Sequence, residues 1–158
     1  MRPWLSLLVL PLLSCGQKEY TAAECRALAA PKAFVDRCMG GSIHGEYVGD
    51  LKCWPFSQPQ RFHGVWLILD EASEFFPNAT DTPQRVENNA SKIWLESNLT
   101  EPPPKSLANA PPVWPQAYVI EAQGRLSLCD AWFGHQGQYS RELIVSRFYS
   151  GRRLPVHY

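Results

Sequence analysis

A short acidic stretch is the first place in this sequence where side chains suited to catalysis occur together. Asp70, Glu71 and Glu74 follow an apolar run and precede Phe75-Phe76-Pro77. Two carboxylates can act as general acid and general base when their surroundings separate their pKa values. Acidic residues at a strand end more often form a solvated turn, with the phenylalanines packing as anchors for the preceding strand. A hydrolase that uses Glu71 or Glu74 is therefore the least favoured function.

The histidines show no spacing that is typical of a metal site. His44, His63, His135 and His157 are scattered along the chain, and only His63 and His135 flank predicted strands in a way that could bring them together. A metal ion would need at least one further ligand in a fixed geometry. Signatures such as GxSxG, HExxH, a P-loop or GxGxxG are also missing from the sequence. We expect no enzyme activity, no catalytic or metal residues and no cofactor.

The N-terminus has the three-part pattern of an export signal. Met1-Arg2-Pro3 is a short positive start, residues 4–13 are apolar, and small residues follow. The apolar run is shorter than the roughly 20 residues that a membrane-spanning helix needs. Its end, Leu12-Leu13-Ser14-Cys15, resembles the lipobox of bacterial lipoproteins.

The resemblance implies that Cys15 is acylated and becomes the new N-terminus, because the signal before it is cleaved. Several acyl chains anchor a protein stably. Gly16 follows the cysteine, with no aspartate, which implies a site at the outer membrane facing the periplasm. The alternative is an ordinary signal peptide and a secreted protein.

The remaining cysteines fit an oxidising compartment. Of five cysteines, assigning Cys15 to the anchor leaves an even set, Cys25, Cys38, Cys53 and Cys129, which contains no CxxC pair. Structural disulfides are the favoured interpretation. Three pairings are possible, and we take Cys25–Cys38 with Cys53–Cys129 as the working hypothesis.

Charge and composition narrow the possible partners. Fifteen basic residues balance fifteen acidic ones, so the basic footprint of a nucleic-acid-binding protein is absent. The hydrophobic content of 45% is that of an ordinary globular domain. The partners that remain are the membrane through the lipid anchor, an envelope protein, or a small apolar ligand.

Local patterns predict a short helical segment followed by strands. Thr21 and Glu24 fit a capping box that begins a helix, and a second short turn covers residues 32–38. β-type runs cover residues 43–48, 62–69, 92–96, 117–122, 125–133 and 141–149. Gln123-Gly124 is a turn candidate between two of these runs. The spacings predict an antiparallel meander.

The expected fold is mainly β with a short N-terminal helical segment and a single antiparallel β domain, a small sandwich or partial barrel. The expected divisions are a signal peptide at 1–14, a lipidated helical segment at 15–41 and the β domain at 42–158. The predicted core consists of large apolar residues on these strands, Trp66, Leu67, Leu69, Ile120, Leu126, Leu128, Ile144 and Val145.

Two polar or proline-rich stretches are expected at the surface. Residues 101–115 hold six prolines, which favours an extended loop over a recognition motif. Sequons at Asn78, Asn89 and Asn98 would suggest glycosylation in a eukaryotic secreted protein, and polar-loop composition in a bacterial one.

One motif suggests a ligand-binding barrel. Phe62-His63-Gly64-Val65-Trp66 resembles the FxGxW pattern of lipocalins. The resemblance implies a tryptophan across the barrel base, covered by a late arginine, for which Arg141 or Arg147 is available. It also implies a carrier for a small apolar ligand. Our leading expectation is instead a membrane-anchored, non-enzymatic binding or envelope-associated module, with an exposed apolar patch that involves Trp114 or Tyr118.

Overall fold

The strands of this chain form one closed sheet, preceded by two short helices. The computed structural model describes residues 18–38, 51, 53–82, 92–109 and 114–156. The elements are α1 (Ala22–Leu28), α2 (Pro31–Cys38), β1 (Gln60–Ile68), β2 (Ser73–Pro77), β3 (Ile93–Ser97), α3 (Lys105–Ala108), β4 (Gln116–Leu126) and β5 (Arg141–Leu154). The expected fold class, mainly β with a short N-terminal helical segment and a single β domain, is confirmed.

The sheet closes into a barrel in the order β1-β2-β3-β5-β4. Neighbouring strands are antiparallel except β3 and β5, which run parallel, so the predicted meander is wrong at this pair. The pairing between β4 and β5 shifts register between Glu121 and Ala122 and again between Gln123 and Gly124, and such bulges help a sheet to bend. Five strands in this order, with a helix between the third and fourth, form the Greek-key barrel known as the OB fold.

Two glycines mark places where backbones approach closely inside strands. Gln123-Gly124 is not a turn, because β4 continues through it to Leu126, and a Cβ at Gly124 would lie 2.6 Å from the Ile144 carbonyl oxygen. A Cβ at Gly64 would collide with the Phe76 carbonyl oxygen. Both glycines serve close packing, which a sequence pattern does not distinguish from a turn.

Two further strands differ from the predictions. The strand β2 was expected only as a turn with packing anchors, and the run 125–133 is not a separate strand, since it begins inside β4 and continues as a loop. The predicted strand at 43–48 lies outside the described residues.

The barrel interior is filled with apolar side chains. Its buried cluster consists of one residue from β2, one from β3 and several from the two long strands: Phe75, Leu95, Tyr118, Ile120, Ala122, Leu143, Val145 and Phe148. Trp66 stacks on Phe148 at 5.4 Å between ring centroids, and its Nε1–H donates to Ser73 Oγ at 3.0 Å. The helix α3 contributes Leu107, which contacts Gly151 of β5 and packs on this cluster.

The predicted core is confirmed in part. Ile120, Ile144 and Val145 are buried, whereas the other predicted core residues are partly exposed. Among these, Trp66 and Leu126 pack against the interior cluster, and Leu67 packs in a smaller cluster with Val65 and Ala117.

A second core lies outside the barrel interior. We call it the cap and define it as residues 18–38, 53–57 and 127–139. Its buried hydrophobic cluster consists of aromatic residues and cysteines: Phe34, Cys38, Trp54, Cys129, Phe133 and Tyr139. The predicted capping box is present, because Thr21 Oγ1 accepts from the Glu24 N–H and Glu24 accepts from the Thr21 N–H.

Candidate functional site

Two disulfides hold the cap together, and they are paired differently from the working hypothesis. Cys25 is bonded to Cys129 and Cys38 to Cys53, each with 5.2 Å between the Cα atoms. The local pairing of Cys25 with Cys38 is wrong, because α1 faces the loop after β4 whereas the end of α2 faces the segment that leads into β1. One bridge therefore spans 104 residues and the other 15.

Edge-to-face aromatic contacts fill the space between the two bridges. The ring of Phe34 lies 5.3 Å from Trp54, 5.9 Å from Trp132 and 6.2 Å from Phe133, with interplanar angles near perpendicular. Trp54 Nε1–H donates to the Cys129 carbonyl oxygen at 3.1 Å, which ties the segment before β1 to the loop after β4. This geometry is favourable for aromatic pairs and makes the cap a packed unit.

The predicted carboxylates lie in different environments. Glu71 sits in the exposed turn between β1 and β2, where His135 Nε2 lies 3.7 Å from its carboxylate. Glu74 is 7% exposed, and its Oε1 accepts from Lys92 Nζ at 3.2 Å and from the Tyr139 hydroxyl at 3.1 Å. The two carboxylates thus have separate partners, and this arrangement gives no support to acid–base catalysis by the pair.

The hydrogen bond from Tyr139 joins the cap to the outer surface of the barrel. Burial raises the pKa of the Tyr139 phenol, and the negative charge of Glu74 raises it further. Because its protonated form is favoured, the phenol acts as a neutral donor to Glu74. The hydrogen bonds among Glu74, Lys92 and Tyr139 therefore hold the cap against the barrel.

The histidines do not come together in the described part of the chain. His63 is exposed near the start of β1, opposite Glu121, whereas His135 lies beside Glu71 beyond the other end of that strand. His44 and His157 lie outside the described residues. Within the described ranges, no group of three or more His, Cys, Asp or Glu side chains could hold a metal ion.

The lipocalin-like motif has a local explanation in this barrel. Gly64 permits the close approach of β2, and Trp66 is covered by Phe148. Neither candidate arginine covers the tryptophan: Arg141 donates to Ser127, and Arg147 pairs with Glu101 at 2.9 Å. Among the described residues the barrel closes with five strands, whereas a lipocalin cup has eight.

Within the described residues, large apolar side chains are exposed at three places, Leu51, Trp114 and Trp132. Trp114 is 48% exposed and precedes β4, whereas Trp132 is 46% exposed and lies in the loop after it. The expectation for Tyr118 was wrong, because that ring is buried in the barrel interior. The exposure of Trp132 was not predicted, since the surrounding residues 125–133 read as a strand.

The Trp114 end of the barrel carries a surface depression of about 350 Å³. One basic side chain and four apolar or proline side chains line it: Arg153, with Pro115, Leu154, Pro155 and Val156. Arg152 and Arg153 are exposed, and neither takes part in an ion pair among the residues that the structure describes. The depression therefore combines proline and valine side chains with a positive charge that has no ion pair among the described residues.

The other predicted surface features are partly described. The proline-rich stretch contains the short helix α3 rather than a continuous extended loop, and residues 110–113 lie outside the described residues. Asn78 and Asn98 are exposed, with Asn78 at φ 62°. Asn89 and the predicted acylation site Cys15 also lie outside the described residues.

Comparison with known proteins does not extend these observations. No protein-family model, curated protein or solved structure gave a significant match to the chain. Among the described helices, none is long and apolar enough to cross a membrane. What the structure defines is a five-stranded OB-type barrel with a disulfide-bonded cap, and function has to be argued from its surfaces.

Proposed function

We propose that this chain is a lipid-anchored binding module of the cell envelope, without enzyme activity of its own. Acylation of Cys15 ties it to the membrane, and the Trp114 end of the barrel binds a partner protein. The single observation that carries the binding function is the exposed Trp114 beside the depression that contains Arg153.

The cysteine chemistry supports the envelope location. Disulfides persist in exported proteins and are rare in the cytosol. Four of the five cysteines form the two bridges of the cap, which leaves Cys15 as the one cysteine outside them. A single remaining cysteine at the end of a signal-like segment is the arrangement that lipid attachment needs.

The shape of the barrel supports binding at its surface over carriage of a ligand inside. The described interior is occupied by packed rings such as Phe75, Tyr118 and Trp66. A depression at the surface, by contrast, can take an apolar side chain of a partner. Tryptophan and arginine are also the residue types that dominate binding energy at protein interfaces.

The charge of the Trp114 end favours an acidic partner segment. Arg152 and Arg153 are exposed without an ion pair in the described part of the chain, so an approaching carboxylate would not have to displace a resident one. Pro155, which is exposed, and Val156, which is partly exposed, supply the apolar contact in the lining.

The anchor is tested by metabolic labelling with an alkyne fatty acid in a Gram-negative host. We expect the wild type to be labelled, Cys15→Ser to be unlabelled, and Ser14→Gly to stay labelled because a small residue still precedes the cysteine. A wild-type protein without label would refute the anchor.

The binding surface is tested by photo-crosslinking in the same cells. A benzophenone amino acid at position 114 should give a discrete adduct, whereas the same probe at the exposed position 98 should not. Arg153→Glu should abolish the adduct at 114. Equal adducts at both positions, or none at 114, would contradict the proposed surface.

A further inference from the structure

Trp132 is an exposed aromatic side chain that neighbouring residues hold in place. Its ring is 46% exposed, yet it packs edge-to-face on Phe34 at 5.9 Å. Gly137, at φ 66°, lies against the base of the Trp132 side chain, and a Cβ there would come within 3.0 Å of Trp132 Cβ. The long disulfide is attached three residues earlier at Cys129. A ring held in place and still exposed is suited to contact with something outside the chain.

The residues that follow the proposed anchor lead directly into the cap. Three peptide links separate Cys15 from Lys18, so their Cα atoms are at most about 11 Å apart. Lys18 begins the cap, and its Nζ lies 3.5 Å from the Glu24 carboxylate and 4.4 Å from the Tyr20 ring. α1 is then joined to the Trp132 loop by the Cys25–Cys129 bridge.

We infer that the cap rests on the bilayer and that Trp132 inserts at the level of the lipid headgroups. This inference rests on the proposed acylation of Cys15, since the anchor is what brings the cap to the membrane. Tryptophan favours this interface because its ring is apolar and its N–H can bond to water or headgroups. Leu51, 40% exposed and two residues before Cys53, adds apolar surface next to the cap.

The other exposed tryptophan lies in a different loop. Trp114 and Trp132 lie beyond opposite ends of β4, whose eleven residues span at most about 36 Å. The Trp114 loop lies outside the surface that we assign to the bilayer, so Trp114 serves as the internal reference for Trp132.

The charge of the cap defines what kind of lipid contact to expect. Its basic residues are equalled in number by its acidic ones: Lys18, Arg26, Lys32 and Arg37 against Glu19, Glu24, Asp36 and Asp130. Contact should then depend on the apolar surface and not on anionic lipid, so it should persist at high salt. Binding without the anchor should be weak, because tethering supplies the effective concentration that a few apolar side chains lack.

The test is ¹⁹F NMR of the lipidated protein, labelled with 5-fluorotryptophan, in phosphatidylcholine nanodiscs. The five tryptophans after Cys15 give separate signals, and Trp132→Phe and Trp114→Phe identify the two of interest. Nitroxide-labelled phospholipid should broaden the Trp132 signal several-fold more than the Trp114 signal, at low and at high salt. Equal broadening of both, stronger broadening of Trp114, or none at Trp132 would overturn the inference.

A second arm separates this inference from the anchor itself. Residues 16–158 carrying an N-terminal hexahistidine are bound to nickel-chelating lipid in the same nanodiscs. Selective broadening of Trp132 here, together with an unlabelled wild type in cells, would refute the natural anchor and leave the contact surface supported. Labelled wild type without selective broadening in either arm would refute the inference alone.

Discussion

The barrel and the cap are held together by different physical means. In the barrel, every strand pairs with two neighbours, and the backbone hydrogen bonds close into a ring. In the cap, α1 has 7 residues and α2 has 8, below the roughly 12–15 residues at which an isolated helix becomes stable. In the cap, two disulfides and a cluster of perpendicular aromatic rings provide the stabilisation that strand pairing provides in the barrel.

Because of this difference, the barrel is stable without an exposed strand edge, whereas the cap can keep a large side chain exposed. A closed sheet has no unpaired edge to present to a partner, so the barrel offers its ends and loops. The cap is attached by cross-links, which permits short helices and loops to be held in place beside the barrel. It can therefore keep a bulky ring such as Trp132 exposed in a loop without the support of a strand.

The largest expected effect follows from removing the long bridge. The double substitution Cys25→Ala and Cys129→Ala should lower the free energy of unfolding by about 4.7 kcal/mol, because it releases a loop of 104 residues in the unfolded chain. Removing Cys38–Cys53, with a separation of 15, should cost about 3 kcal/mol. Urea unfolding of both variants measures the difference.

Hydrogen exchange on the same variants locates the damage. Without the Cys25–Cys129 bridge, the amides of α1 should lose protection first, while those of β4 and β5 stay protected as long as the protein is folded. A larger loss from the short bridge, or equal loss of protection in both regions, would show that the cap and barrel are one cooperative unit.

The sequence predicted the barrel better than the cap because strands carry local sequence signals, whereas the cap depends on contacts between distant segments. The β-type runs that include β1, β4 and β5, and the helix-capping box at Thr21, are visible in a few neighbouring residues. The strand β2 was missed because its five residues, Ser73–Pro77, combine a buried glutamate with a proline. The apparent turn at Gly124 was wrong because close backbone approach and turns select the same residue.

Contacts between distant segments were out of reach for the same reason. The pairing of Cys25 with Cys129, the parallel pair of β3 and β5, and the contact of Tyr139 with Glu74 each join segments whose proximity exists only after the barrel closes. The exposure of Trp132 is also decided by what surrounds it in three dimensions. Local pattern therefore predicted the class of fold, whereas the candidate surfaces needed the tertiary structure.

Removing one buried phenylalanine from each core compares how much the two cores contribute to the free energy of unfolding. Phe75 in the barrel and Phe34 in the cap are both fully buried. Phe75→Ala should cost about 4 kcal/mol in global unfolding, since it leaves a cavity in the closed sheet. Phe34→Ala should cost less by urea unfolding and should instead raise exchange rates within α2 and increase the exposure of Trp132. Equal global costs would contradict the separation of the cores.

The smallest effect is expected at the seam, where Tyr139 of the cap donates to Glu74 of β2. Tyr139→Phe removes a hydrogen bond to a buried carboxylate and should cost about 1.5–3 kcal/mol near neutral pH. Tyr149→Phe is the matched control, because that hydroxyl donates to the neutral Gln123 side chain and its loss should cost only about 0.5–1.5 kcal/mol.

The pH dependence distinguishes this hydrogen bond from simple packing. The folded protein raises the pKa of Tyr139 above the ordinary value of 10.0, so the native state keeps the phenol proton at pH values where the unfolded chain loses it. The stabilisation is therefore complete below pH 10 and is lost as the pH rises above it. The free energy of unfolding, measured with urea from about pH 9 to 11, should fall more steeply with pH in the wild type and in Tyr149→Phe than in Tyr139→Phe. Parallel curves for all three proteins would mean that Tyr139 is not held neutral by burial and by Glu74, and that the cap joins the barrel through apolar contacts alone.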